Sequence, residues 1–222
     1  MHPNIKRLSV LNNKVKDIIT KKQLKTNPQI IVVTKTFSME KIIPLIESGH
    51  LHYGENKIQE AENKWQDQKK KYNNLKLHMV GKLQTNKVKK ALMLFDYIHS
   101  LDNEKLALKI SQIQKELNKK TKLFIQVNIA NEEQKSGIDI NLVKSFHTYC
   151  TKELSLDVIG LMCLPPLSSD SQKYFKLLKE LGKNLNISEF SMGMSSDFEQ
   201  AILNGSTFLR LGTLIMGERK TI

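Results

Sequence analysis

The sequence predicts an α/β chain folded as one (β/α)8 barrel of the TIM type, with an extra helix at its N-terminus. Eight short apolar segments alternate with helical ones. Such alternation implies parallel strands, because parallel neighbours need crossover connections. No low-complexity tract and no Pro/Gly/Ser-rich linker interrupts residues 1–222, so the chain reads as a single domain. An open doubly wound sheet is the alternative, and the G-x-G-x-x-G fingerprint that would favour it is absent.

A first helix is predicted over residues 4–25, where Ile5, Leu8, Leu11, Val15, Ile18 and Ile19 share one face. Residues 30–34 are all β-branched, as in a strand buried on both faces. The next helix starts near Ser38, a good N-cap, and carries Pro44 as an irregularity. Residues 52–54 form a short strand and 57–72 a helix. A strand over 75–80 precedes a helix over 86–95, and a strand over 97–100 precedes a helix capped by Asp102 and ending at Asn118. The strand 123–128 is followed by a helix over 141–152. The strand 157–163 stops before Pro165 and Pro166, and 171–183 is helical. A strand over 189–191, a helix over 198–203 and a strand over 208–211 complete the eight units.

Composition narrows the function. No run approaches the ~18 apolar residues of a transmembrane helix, and MHPNIKRLSVLNNKV lacks the apolar core of a signal peptide. Cys150 and Cys163 have no metal-like spacing, and a reducing, cytoplasmic setting is expected. The net charge of +13 raises nucleic acid as a partner. Yet arginine occurs only at Arg7, Arg210 and Arg219, and aromatics make up 6%, so the charge reads as solubility. No specific nucleic acid, no membrane and a monomeric state are the expectations. Walker, H-E-x-x-H and G-x-S-x-G motifs are absent.

Barrel chemistry sits at the carboxyl ends of the strands. Those ends carry Lys35, Glu55, Asn56, His78, Lys82, His99, Asp102, Cys163, Ser191, Gly193, Arg210, Gly212 and Thr213. The scarcity of carboxylates argues against a metal hydrolase and against a paired-carboxylate glycosidase. Lys35 has two readings: a strand-end lysine that snorkels or pairs with Glu55, or a desolvated amine able to form a Schiff base with a carbonyl. Arg210 lies within an apolar strand, where it must face a partner or a ligand. Gly212 permits close backbone approach, and the Thr213 hydroxyl and nearby amides can donate to an anion. The stretch SMGMSSD adds Ser191 and Gly193, with Ser195, Ser196 and Asp197 as N-cap candidates. Loops after the last two strands are the habitual phosphate site of such barrels. An imine-forming lysine, an arginine and a phosphate cradle together describe pyridoxal 5′-phosphate.

These residues fall in VVTKTF (32–37), YGENKIQEAENK (53–64), HMVGKLQTNK (78–87), IHSLD (98–102), QVNIANEEQKSG (126–137), GLMCLPP (160–166), SMGMSSDFEQAI (191–202) and RLGTLIMGER (210–219). In that order and spacing the chain resembles the pyridoxal phosphate homeostasis family, single-domain relatives of the alanine racemase N-terminal barrel. The resemblance covers nearly the whole chain. It implies that Lys35 holds pyridoxal 5′-phosphate as an internal aldimine and that Arg210 faces the pyridine nitrogen. It further implies that Ser191, Gly212 and Thr213, with nearby backbone amides, bind the phosphate, that Gly193 belongs to the cofactor site, and that Asn56 and His78 stand beside the cofactor. Leu77 replaces an aromatic residue usual in the family, and Lys82 replaces a second histidine. The implied role is vitamin B6 homeostasis without robust catalysis, with apo-enzymes that use the cofactor as recipients. A weak amino-acid racemase is the alternative, with Tyr53 as the nearest candidate for a second acid/base. Lys135 reads either as a solvated loop lysine or as a contact on the cofactor face.

Overall fold

The computed structural model describes residues 1–166 and 170–218, so Arg219 lies outside the described residues. In chain order the elements are α1 (Pro3–Lys21), β1 (Gln29–Val33), α2 (Met39–Glu47), β2 (His52–Glu55), α3 (Ile58–Lys71) and β3 (Lys76–Met79). Next come α4 (Val88–Leu94), β4 (Tyr97–Leu101), α5 (Glu104–Leu117), β5 (Lys122–Asn128), β6 (Ile138–Asp139) and α6 (Val143–Thr148). The chain continues through β7 (Val158–Cys163), α7 (Ser171–Asn184), β8 (Glu189–Ser191), α8 (Phe198–Leu203), β9 (Phe208–Leu211) and α9 (Thr213–Met216).

Hydrogen bonding runs β4-β3-β2-β1-β9-β8-β7-β5, and β5 pairs back to β4, so the parallel sheet closes on itself. Eight strands make this ring among the described residues, which is the predicted barrel. The ninth, β6, adds two residues against the end of β5. The predicted extra helix is α1, which precedes the first strand and packs on α2, α8 and α9. It buries Leu8, Leu11 and Val15, as the spacing required.

Several boundaries differ for local reasons. The first helix stops at Lys21 because Gln23 adopts φ 51°, outside helical space. The cap of α5 is Asn103 rather than Asp102: its side chain accepts from the Leu106 amide at 2.9 Å. The helix predicted over 141–152 divides into a 3-10 turn, the short α6 and a wider π turn at Tyr149–Glu153. The sequence reading missed β6 and α9, each too short to show periodicity.

Strand alternation sorts the side chains into two layers. Outward residues such as Ile30, Val32, Leu77, Ile98 and Leu123 pack under the helices. Inside, Ile31, Phe124, Met162 and Phe208 form a smaller apolar cluster, edged by Tyr97, Ile159 and Leu164. Gly160 makes room for it, since a Cβ there would lie 2.4 Å from Cε1 of Phe124 and 2.5 Å from the Glu189 carbonyl. Gly160→Ala is therefore expected to lose about 2 kcal/mol of stability through overpacking, read as a lower urea midpoint.

Candidate functional site

At the carboxyl ends of the strands a cavity of about 430 Å³ opens. Its polar wall is Lys35, Arg210, Ser195, Ser196 and Thr213, and Val33, Phe37, Val80 and Leu164 supply the apolar wall. Lys35, Arg210, Gly212 and Thr213 come together here, at the carboxyl ends of β1 and β9, which are hydrogen-bonded neighbours.

Other predicted residues sit elsewhere. Ser191 is buried in the barrel interior on β8, below the cavity wall. Its Oγ accepts from Nη1 of Arg210 at 2.6 Å and lies 2.8 Å from Nδ1 of His99. Gly193 has φ 94°, and a Cβ there would meet Cβ of Ala201 at 2.6 Å, so it serves the turn into α8. Its carbonyl accepts from the Arg210 amide. The Asp197 carboxylate accepts from the Met194 amide at 2.6 Å, which folds the loop so that Ser195 and Ser196 reach the cavity. The sequence marks these two serines as cap candidates, and the signal for a site role is their place after the seventh predicted strand. His78 is also off the wall, stacked on Tyr97 at 4.2 Å between His52 and His99. Asn56 is not among the residues of the wall; it packs against Gly81, where a Cβ would lie 2.4 Å from its carbonyl oxygen, and its buried Oδ1 has no hydrogen-bond partner among the described residues.

Glu55, Tyr53 and Lys135 are also not among the residues of the cavity wall. Tyr53 and Glu55 point outward from β2, under α3. The Tyr53 hydroxyl donates to the His50 carbonyl, and burial pushes its phenol up, so it is not a second acid/base at the cavity. Lys135 pairs with Glu132 in its own loop.

The segment that bears Lys35 is held from outside the barrel. Thr34 donates through Oγ1 to Glu55 Oε1 at 2.7 Å, and Trp65 Nε1 donates to the same oxygen at 3.0 Å. Lys64 Nζ pairs with Glu55 at 2.6 Å and Glu60 at 2.9 Å, and donates to the carbonyls of Thr34 and Phe37. Glu60 in turn accepts from the Thr36 amide. Thr36 has φ 70°, an uncommon conformation for a β-branched residue. The ion pair on α3 thus pins a strained turn immediately after Lys35.

Electrostatically, burial keeps the interior imidazoles near Arg210 neutral. Burial drives the pKa of both His78 and His99 well below the usual value, and the Arg210 charge adds to this at His99. Burial lowers His50 to about 4 and also lowers His52. Burial pushes the Cys163 thiol up to about 12 even beside Arg210, so it is an inert thiol.

The class defined here is a closed parallel (β/α)8 barrel that presents a lysine, an arginine and hydroxyls to one cavity. The profile of the alanine racemase N-terminal domain matches residues 10–220. The chain belongs to the pyridoxal phosphate homeostasis family within that group. A pyridoxal phosphate homeostasis protein of Aquifex aeolicus is 37% identical over 201 residues, covering 86% of this chain and 87% of the relative. That of Escherichia coli K12 is 30% identical over 199 residues, covering 86% and 85%. Among solved structures, PipY of Synechococcus elongatus with PLP bound matches at a TM-score of 0.78 and 31% identity, covering 91% of this chain and 100% of that one. Alanine racemase of Clostridium difficile shares the fold at a TM-score of 0.72 and 14% identity, covering 99% of this chain and 57% of that one.

Two measurements check this description. Lys64→Met leaves Glu55 buried and uncompensated, and should cost about 3–5 kcal/mol in urea unfolding. The histidines give a pH signature. Their folded pKa values lie below the unfolded 6.5, so the unfolded chain binds more protons in that range. Stability should be full above pH 6.5 and decline as pH falls towards 4, where His50 titrates in the fold. A urea midpoint equal at pH 7.5 and 4.5 would contradict the neutral histidine layer.

Proposed function

We propose that the cavity binds pyridoxal 5′-phosphate with Lys35 carrying it as a Schiff base, and that the chain holds and releases this cofactor in cytoplasmic vitamin B6 homeostasis. The observation that carries the reading is that Lys35 and Arg210 face one cavity with the hydroxyls of Ser195, Ser196 and Thr213. The residues fit the group. Lys35 is a half-buried amine, and Val33, Phe37 and Leu164 suit the faces of an aromatic ring. Gly212 keeps the wall open, for a Cβ there would meet protein atoms only at 3.4 Å and beyond. The PLP-bound PipY relative supports the same ligand.

When bound, the cofactor supplies an aldehyde and an electron-withdrawing ring. Arg210 can only donate, so a ring nitrogen facing it stays unprotonated and the ring is a weaker electron sink than a pyridinium. The described residues lining the cavity include no carboxylate, tyrosine or histidine for a second acid/base. Both points support carriage over the racemase alternative. In this reading residues 1–222 act as one cofactor-binding unit and a monomer, and apo-enzymes that use pyridoxal phosphate are recipients.

Borohydride reduction of the loaded protein should fix the cofactor on Lys35, seen by peptide mapping and loss of the imine absorbance. Lys35→Ala should abolish both, and an unchanged spectrum and stoichiometry in that variant would sink the assignment. Gly212→Ala should fold normally yet bind about tenfold more weakly, because the added methyl narrows the cavity. D-alanine production from L-alanine, lost with Lys35, would favour the racemase.

A further inference from the structure

Behind the cavity, five side chains form one continuous hydrogen-bonded line across the barrel. Nη1 of Arg210 lies 2.6 Å from Ser191 Oγ, which lies 2.8 Å from His99 Nδ1. His99 Nε2 lies 2.9 Å from His78 Nδ1, and His78 Nε2 lies 2.9 Å from Nδ1 of His52. Arg210, Ser191, His99 and His78 are buried, and His52 at the start of β2 is half-buried.

The line has a direction that follows from donor counting. A guanidinium only donates, so Ser191 Oγ must accept from Arg210. The buried serine hydroxyl then needs an acceptor for its own proton, and His99 Nδ1 is the acceptor in range. With Nδ1 bare, neutral His99 carries its proton on Nε2 and donates to His78 Nδ1. His78 is set the same way and donates to His52. A cation at His78 would set its Nδ1–H against the Nε2–H of His99, and a cation at His99 would leave the Ser191 hydroxyl proton without its acceptor; burial also disfavours both charges. The ring planes are fixed as well: His99 stacks on Phe124 at 4.3 Å and 12°, and His78 on Tyr97 at 4.2 Å and 9°. Because the line ends on a group that keeps its proton, it transmits orientation rather than protons.

We propose that His99, backed by His78, is a positioning residue for Arg210: its bare Nδ1 orients the Ser191 hydroxyl as an acceptor towards the guanidinium, and so fixes this buried cation of the cavity wall. Nη2 of Arg210 is held separately by the Cys163 carbonyl at 2.9 Å, so the two anchors set the plane of the guanidinium. The consequence for cofactor retention rests on the function proposed above; the line itself does not.

The first test needs no cofactor. Long-range ¹H–¹⁵N spectra of the wild-type protein at neutral pH, with signals assigned by loss in single-histidine variants, should show His99 and His78 as neutral Nε2–H tautomers. An Nδ1–H tautomer or a cation at His99 would overturn the proposal. The second test uses pyridoxal phosphate on the full chain. His99→Phe should lose the cofactor about tenfold faster on dilution and shift its absorption band, while borohydride still maps it to Lys35. His99→Asn, whose Oδ1 can accept from Ser191, should restore most of the retention. If His99→Phe does not fold, Ser191→Ala should show the same loss. Wild-type retention and an unshifted band in the folded variant would overturn the positioning role. Failure of the wild type to form a Lys35 adduct would instead overturn the function proposed above, with the tautomer result standing on its own.

Discussion

Arg210 stands in the barrel interior with 5% of its surface exposed, and a guanidinium there cannot relieve its burial by giving up a proton. It therefore needs acceptors that the apolar lining does not provide. Ser191 supplies one and the Cys163 carbonyl another. The demand then propagates, because a buried serine hydroxyl needs its own acceptor, and His99 and His78 extend the line until it reaches half-buried His52. Much of the polar content of the barrel interior is thus the solvation of one cation. The aromatic neighbours Phe124, Tyr97 and Phe208 share this space and hold the imidazole planes.

Lys35 is placed by a different device on the other side of the sheet. The Glu55–Lys64 pair under α3 ties down the carbonyls of Thr34 and Phe37, on either side of the lysine. Such a pair contributes little net stability but is costly to break, which makes it a good way to impose one backbone geometry. The left-handed Thr36 persists because its surroundings over-determine it. The two groups that define the cavity are therefore oriented from opposite layers: the arginine from inside the barrel, the lysine from the helix layer outside.

The strands were legible because their signal is local. Residues 30–34 and 208–211 announce themselves through β-branched or largely apolar runs, and the observed strands begin and end within a residue of them. Helix boundaries failed where a single dihedral or a competing cap decided them, as at Gln23 and Asn103. In the site, Lys35, Arg210, Gly212 and Thr213 were found by their position at strand ends. Ser191, Gly193 and His78 share that position in the chain yet stay off the cavity wall. Depth along the barrel axis depends on stagger between strands, which leaves no trace in spacing.

The amino-acid sequence by itself determined the eight-unit alternation, the lysine that ends the first strand and the arginine buried in the last, because each is a property of one segment. Only the tertiary structure decided which serines reach the cavity, that Glu55 holds Lys64, and that three histidines from β2, β3 and β4 line up behind Arg210. Glu55 and Lys64 lie 9 positions apart and are brought together by the passage from β2 into α3, whereas His99 and Ser191 lie 92 positions apart and closure of the sheet brings them within hydrogen-bonding distance.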